Sequence, residues 1–168
     1  MKNKFLNQKG QSLIEVLIAL SISVIVAVAF TNVTITSVRN AQLAKNQNLS
    51  TKFAQQTIEY IRAIRDQDRI VNYPAIGNTW SALWLANLGS SGQCFSLDKA
   101  NIRLTLSSCS TDTVITDKAG TNTVFMRQIK ITDDGAILDK KTIYVEVYWN
   151  DSKGKHSAKI STYLTKWQ

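Results

Sequence analysis

The hydrophobic pattern of this chain changes twice. Between Leu13 and Phe30, fifteen of eighteen residues are apolar, and the exceptions are Glu15, Ser21 and Ser23. A run of this length predicts a helix able to cross a membrane, whose hydrocarbon core takes about 20 residues at 1.5 Å each. From Thr31 to Arg69 the chain turns polar yet holds no glycine or proline. Leu49, Phe53, Tyr60 and Ile64 recur there at a helical stagger, with Ala54, Ile58 and Ile61 beside them. Lys52, Gln55, Gln56, Glu59 and Arg62 fall on other faces, so a single apolar stripe predicts more helix. The reading is one helix from about Ser12 to Arg69, roughly 85 Å long. Asn72-Tyr73-Pro74 is expected to end it, because a proline disfavours helix in the residue before it. Arg62 and Asp66 are spaced for an i,i+4 surface pair near that end.

Further on, the period drops to two. Ile102, Leu104 and Leu106 alternate with Arg103 and Thr105; Phe125, Ile129 and Ile131 alternate with Met126, Gln128 and Lys130. Arg127 interrupts the apolar side of that second run. Ile143, Val145, Val147 and Trp149, then Ala158, Ile160 and Leu164, complete four half-buried strands. Asp133-Asp134-Gly135 and Asn150 to Gly154 supply turns between the last three. A three-stranded antiparallel meander, joined by the strand near Leu104, is expected to lay its apolar face on the helix stripe. The fold class is therefore α+β: a long amino-terminal helix packed on a small antiparallel sheet. In the turn-rich stretch between Ile76 and Gln93, Trp80 and Trp84 stand four apart on a short helical turn. Such a pair more often covers the base of a small domain than forms a partner-binding patch.

Composition changes this picture little. The 168 residues carry a formal charge of +8, or +5 from side chains without Lys2, Lys4 and Lys9. The remaining basic residues are scattered from Arg39 to Lys166, which reads as a solvated mixed surface rather than a nucleic-acid site. Cys94 and Cys109 both follow the membrane run, hence both lie in an exported part. An even pair there reads as a disulfide worth about 3 kcal/mol in the chain-entropy model. A metal site is disfavoured, since the single histidine, His156, has no further ligand motif beside it. Asp133, Asp134 and Asp139 lack the order of a recognised calcium loop, so turn formation and solubility is their expected role. No catalytic motif occurs, and neither enzyme activity nor a cofactor is expected.

Glu15 is the anomaly. A charge deep in lipid costs about 2.5–3.5 kcal/mol even on lenient scales, which marks it as functional. Before the run stands a leader with three lysines and no acid, and Gly10 directly precedes Gln11-Ser12-Leu13-Ile14-Glu15. That order resembles the prepilin signature of type IV pilins and type II secretion pseudopilins. The resemblance implies a prepilin peptidase that cuts after Gly10 and methylates the new amino terminus, Gln11. It implies that Glu15, at mature position five, meets a terminal amine during assembly. It divides the chain into a leader (1–10), a transmembrane and filament-core helix (11–33) and an exported pilin-like domain (34–168). That domain comprises a helix continuation (34–70), a variable region (71–123) and an antiparallel sheet (124–168). Expected partners are the peptidase, other pilins, an inner-membrane assembly platform and lipid. The expected location is the inner membrane, crossed once with the carboxyl-terminal domain outside the cytoplasm, and then a pilus or pseudopilus. Two departures are visible: Gln11 stands where Phe or Met is usual, and the run lacks the proline common in major subunits, which points to a minor one. The stretch Glu59 to Asp66 and the ending Tyr144 to Leu164 are also similar to minor pilins of the modification type. Three other readings compete. Ala27-Val28-Ala29 would suit a secretory signal peptide, a plain signal anchor would bear a binding domain, and a DNA-uptake pseudopilin would meet phosphates with its basic surface.

Overall fold

The computed structural model describes residues 11–68, 70–73, 77–116, 120–134 and 137–165; side chains at 11–12, 70–78 and 135–139 lie outside the description. The leader, Gly10, Pro74 and Gly135 therefore fall outside it. The chain divides into two units, Met1–Lys45 and Asn46–Gln168. Helix α1 runs Gln11–Asp66, 56 residues without a break.

The helix stops three residues before the expected Arg69, and the proline is not what stops it. Asp68 takes a left-handed φ of 43°, a conformation a short polar residue tolerates better than most. Asp68 N donates to Arg65 O at 3.1 Å and Gln67 N to Ala63 O at 3.2 Å, closing the last turn. The Asp68 carboxylate accepts from Ser81 N and Oγ at 2.8 and 3.0 Å, which ties the helix exit to the next segment. Asn72 and Tyr73 then lie in strand β1 (Ile70–Tyr73). The expected Arg62–Asp66 pair is also replaced. Arg62 meets Glu59 at 2.7 Å and Arg65 meets Asp66 at 2.7 Å.

After β1 come β2 (Gly77–Thr79), α2 (Trp80–Leu85), β3 (Gln93–Asp98), β4 (Arg103–Ser107), β5 (Thr113–Thr116), β6 (Asn122–Asp134), β7 (Ile137–Asp151) and β8 (Gly154–Thr165). They form one sheet in the order β2-β1-β4-β3-β6-β7-β8, with β5 also on β6. All pairings are antiparallel except β1 with β4. The carboxyl-terminal meander stands as expected, but the strand at Leu104 does not join it directly. Strand β3 intervenes, pairing Phe95 with Ile129 on one side and with Leu106 on the other. Ile102 lies outside β4, in the preceding turn at φ 45°. That is a costly conformation for a β-branched residue, held while its side chain packs against the core. Gly92 accounts for the close approach of the β3 entry to β6. A Cβ there would sit 2.5 Å from Ile131 O, and its φ of 68° already favours glycine.

The core lies between the helix stripe and the inward side of the sheet. Ala54, Ile58, Ile61 and Ile64 are buried with Phe95, Leu104, Ile129, Ile131, Ile143, Val145 and Val147. Phe53 packs edge-on against Phe125 at 5.3 Å. Each large side chain so buried contributes about 1.5–3 kcal/mol. Thr79 caps α2 by accepting from Ala82 N at 3.1 Å. This places Trp80 and Trp84 inside, 6.4 Å apart, so they close the core rather than form a docking patch. Cys94 and Cys109 form a disulfide with Cα atoms 5.1 Å apart, and no cysteine is free. Replacing both by serine is expected to cost about 3 kcal/mol, read as a lower urea midpoint of the full chain; an unchanged midpoint would remove the staple from the stability argument.

Candidate functional site

The amino-terminal half of α1 is the part of the molecule whose surface least suits water. Its large apolar side chains from Leu13 to Phe30 are between 55% and 75% exposed. One 18-residue window has a mean hydropathy of 2.7 and none of it is buried. By length and composition this segment is able to cross a membrane. Its hydroxyls are arranged to suit lipid as well. Ser21 donates to Leu17 O and Ser23 to Ala19 O, each at 2.8 Å; Thr31 and Thr34 reach back one turn in the same way at 2.9 Å. A hydroxyl satisfied within its own helix carries little penalty away from water.

Glu15 has no such internal relief. Among the described residues no ion pair or hydrogen bond includes it, and its side chain is exposed. It lies one turn along α1 from Gln11, the first residue described. Residues four apart share a face, so anything positive at the start of Gln11 would stand over Glu15. Gly10 is outside the described residues, as is the side chain of Gln11.

Elsewhere the polar groups serve the fold. Lys141, an inward residue of β7 that the sequence reading passed over, is buried and donates to Ala86 O at 3.0 Å and to Asp133 Oδ1. The other oxygen of Asp133 accepts from Leu88 N and Gly89 N at 2.5 and 3.0 Å. Asp133 is therefore an anchor for the loop after α2 and not the solvated turn residue expected. Asp134 pairs with Lys140 at 3.0 Å, while the side chain of Asp139 lies outside the described residues. No group of metal-binding side chains occurs among the described residues. His156 was expected alone on the surface. It is half-buried instead, stacked on Trp149 at 5.3 Å with Nε2 3.0 Å from Asp151 Oδ2. That oxygen belongs to a carboxylate held below its usual range chiefly by the Lys153 N–H it accepts from.

Arg127 is the second inward cation. Its guanidinium donates to Thr57 Oγ1 at 3.3 Å and Leu97 O at 3.2 Å, leaves Nε without a partner, and meets no carboxylate among the described residues. Burial pushes its pKa down to about 10. A base whose folded pKa lies below its unfolded one burdens the fold in its charged form, and this burden lifts only as pH rises past about 10. Arg127→Met is therefore expected to be neutral or stabilising by about 1–2 kcal/mol at neutral pH. A loss above about 3 kcal/mol in urea unfolding would show instead that the two hydrogen bonds outweigh the buried charge.

With this geometry in hand, the comparisons with known proteins fall on the same segment. Residues 6–31 match the family model of the prokaryotic N-terminal methylation motif, the signature of type IV pilins and pseudopilins. No curated protein and no solved structure matches the chain.

Proposed function

We propose that this chain, which carries the amino-terminal methylation motif of type IV pilins and pseudopilins, is a minor subunit of a pilus or a secretion pseudopilus. The reading is structural and not enzymatic. A single observation carries it: the motif coincides with the stretch of α1 whose large apolar side chains are exposed among the described residues. Such a surface needs lipid before assembly and neighbouring helices after it. The helix from Gln11 would hold the subunit in the inner membrane with its sheet domain outside the cytoplasm. An assembly platform would then move it into a filament. Subunits in a helical filament meet through unlike faces, a contact that does not close on itself. The uninterrupted, proline-free course of α1 supports a minor over a major subunit.

The test is the mass of the mature amino terminus. Cleavage between Gly10 and Gln11 is expected, leaving the whole apolar run on the protein, with Gln11 methylated or cyclised. A terminus at Phe30 would identify a secretory signal peptide instead and remove the membrane anchor from the mature chain. An uncut chain would leave a plain signal anchor.

A further inference from the structure

The lysines that look scattered in the sequence converge in the sheet. Strand alternation turns Lys130, Lys140, Lys155 and Lys159 to the side of the β6–β7–β8 meander that faces away from the core. Two acids share that side, and each is engaged: Asp134 with Lys140 at 3.0 Å, Glu146 with Lys159 at 3.4 Å. Lys130 has no carboxylate within ion-pair reach among the described residues, and Lys155 lies over the Tyr148 ring at 3.6 Å. Tyr144 and Tyr163 stand on the same side, 47% and 64% exposed, with Lys140 4.5 Å from the Tyr163 ring centre. From Lys155 to Tyr163 the face extends about 26 Å along β8. Between the three strands lies a groove of about 250 Å³, lined among others by Gln128, Lys130, Tyr144, Glu146, Lys159 and Ser161.

The lining selects among negatively charged partners. Any polyanion laid in this groove must turn its charges toward Lys130 and Lys155 and away from Glu146, which Lys159 already engages. Sugar hydroxyls both donate and accept, so they suit a carboxylate, an amide and a hydroxyl set side by side. A bare tyrosine ring offers the apolar plane against which a sugar ring packs. The lysine surplus then favours a sugar that carries carboxylates. We propose that the outer face of the meander binds an acidic polysaccharide of the polyuronate type, with one sugar over Tyr144 and its carboxylate toward Lys130. Neighbouring sugars would follow β8 between Lys155 and Tyr163.

The experiment uses the full chain in detergent micelles, titrated separately with polygalacturonate, neutral dextran and oligo-dT. Polygalacturonate is expected to bind, to weaken with added salt and to outcompete oligo-dT, while dextran does not bind. Tyr144→Ala and Lys130→Gln should each weaken binding by about three- to tenfold. Tyr144→Phe, which keeps the ring plane, should stay within about twofold of the parent, as should Lys52→Gln on the opposite element. No binding of polygalacturonate, binding that Tyr144→Ala leaves unchanged, or stronger binding of oligo-dT would each overturn the proposal, the last in favour of single-stranded nucleic acid.

Discussion

Glu15→Leu is expected to be cut by the prepilin peptidase and to sit in the membrane as well as the parent, yet to be missing from sheared filaments. The three outcomes separate because three different interactions govern them. In the proposed function, processing would depend on Gly10 and the basic leader, which the substitution leaves alone. Membrane residence improves, since an intramembrane carboxylate costs about 2.5–3.5 kcal/mol and leucine costs nothing. Assembly is where the charge acts in the proposed function. Once Gln11 is the first residue, its amine stands at the start of α1 with Glu15 one turn inside. The amine of the same or an adjacent subunit can then neutralise the acid within a bundle of apolar helices. Removing one member of such a buried pair costs about 3–5 kcal/mol, enough to reduce incorporation more than a hundredfold. The measurement is the ratio of tagged subunit in filaments to that in membranes. Equal ratios for mutant and parent would take the assembly role from Glu15.

Asp133→Asn should be the most damaging conservative change in the sheet domain, at about 3–5 kcal/mol. The substitution keeps the size of the side chain but removes its charge and turns one of its two acceptor oxygens into an NH2 donor. Lys141 is then left buried with one neutral acceptor, Ala86 O. The loop after α2 also suffers, because the carboxylate that gathers Leu88 N and Gly89 N becomes a weaker acceptor. Lys141→Met should cost less, since Asp133 keeps its two backbone donors and its partly exposed edge. The asymmetry checks the assignment: unfolding midpoints in urea should fall further for Asp133→Asn than for Lys141→Met. If the order reverses, the contact of the Lys141 ammonium with the Trp84 ring outweighs the anchoring role of the acid.

Where a long element buries one face, the sequence showed it. The stripe from Ala54 to Ile64 and the alternation from Ile143 to Trp149 are periodic, and each is buried as its period requires. The motif around Gly10 and Glu15 was legible for another reason, since its parts stand within a few residues of one another. What escaped was set by contacts between distant segments. Strand β1 pairs in parallel with β4, Val71 beside Leu104, and no local pattern carries that register. Strand β3 does alternate, with Phe95 and Leu97 inward, but it is short and follows a glycine-rich stretch that reads as loop. Lys141 and Arg127 occupy inward positions of good strands. Their charges argue against burial until the acceptors are in place, Thr57 of α1 and Leu97 of β3 for Arg127, Ala86 after α2 and Asp133 of β6 for Lys141. The lysines of the outer face looked dispersed because a strand pair brings together residues that alternation and turns keep apart in sequence.

The order of elements also has a consequence in time. The apolar stripe of α1 is complete by Ile64, while about half of the core it joins resides in β6, β7 and β8, the last of which ends at Thr165. A growing chain therefore carries an uncovered stripe through the synthesis of about a hundred further residues, several seconds or more at ordinary rates. Truncation near the carboxyl end would not merely shorten a finished domain; it would remove Leu164 and leave the core incompletely closed. The β7–β8 hairpin turns through only Ser152 and Lys153, so the closing step is a local one and quick once its residues exist. The vulnerable interval of this protein is the wait for its last strand.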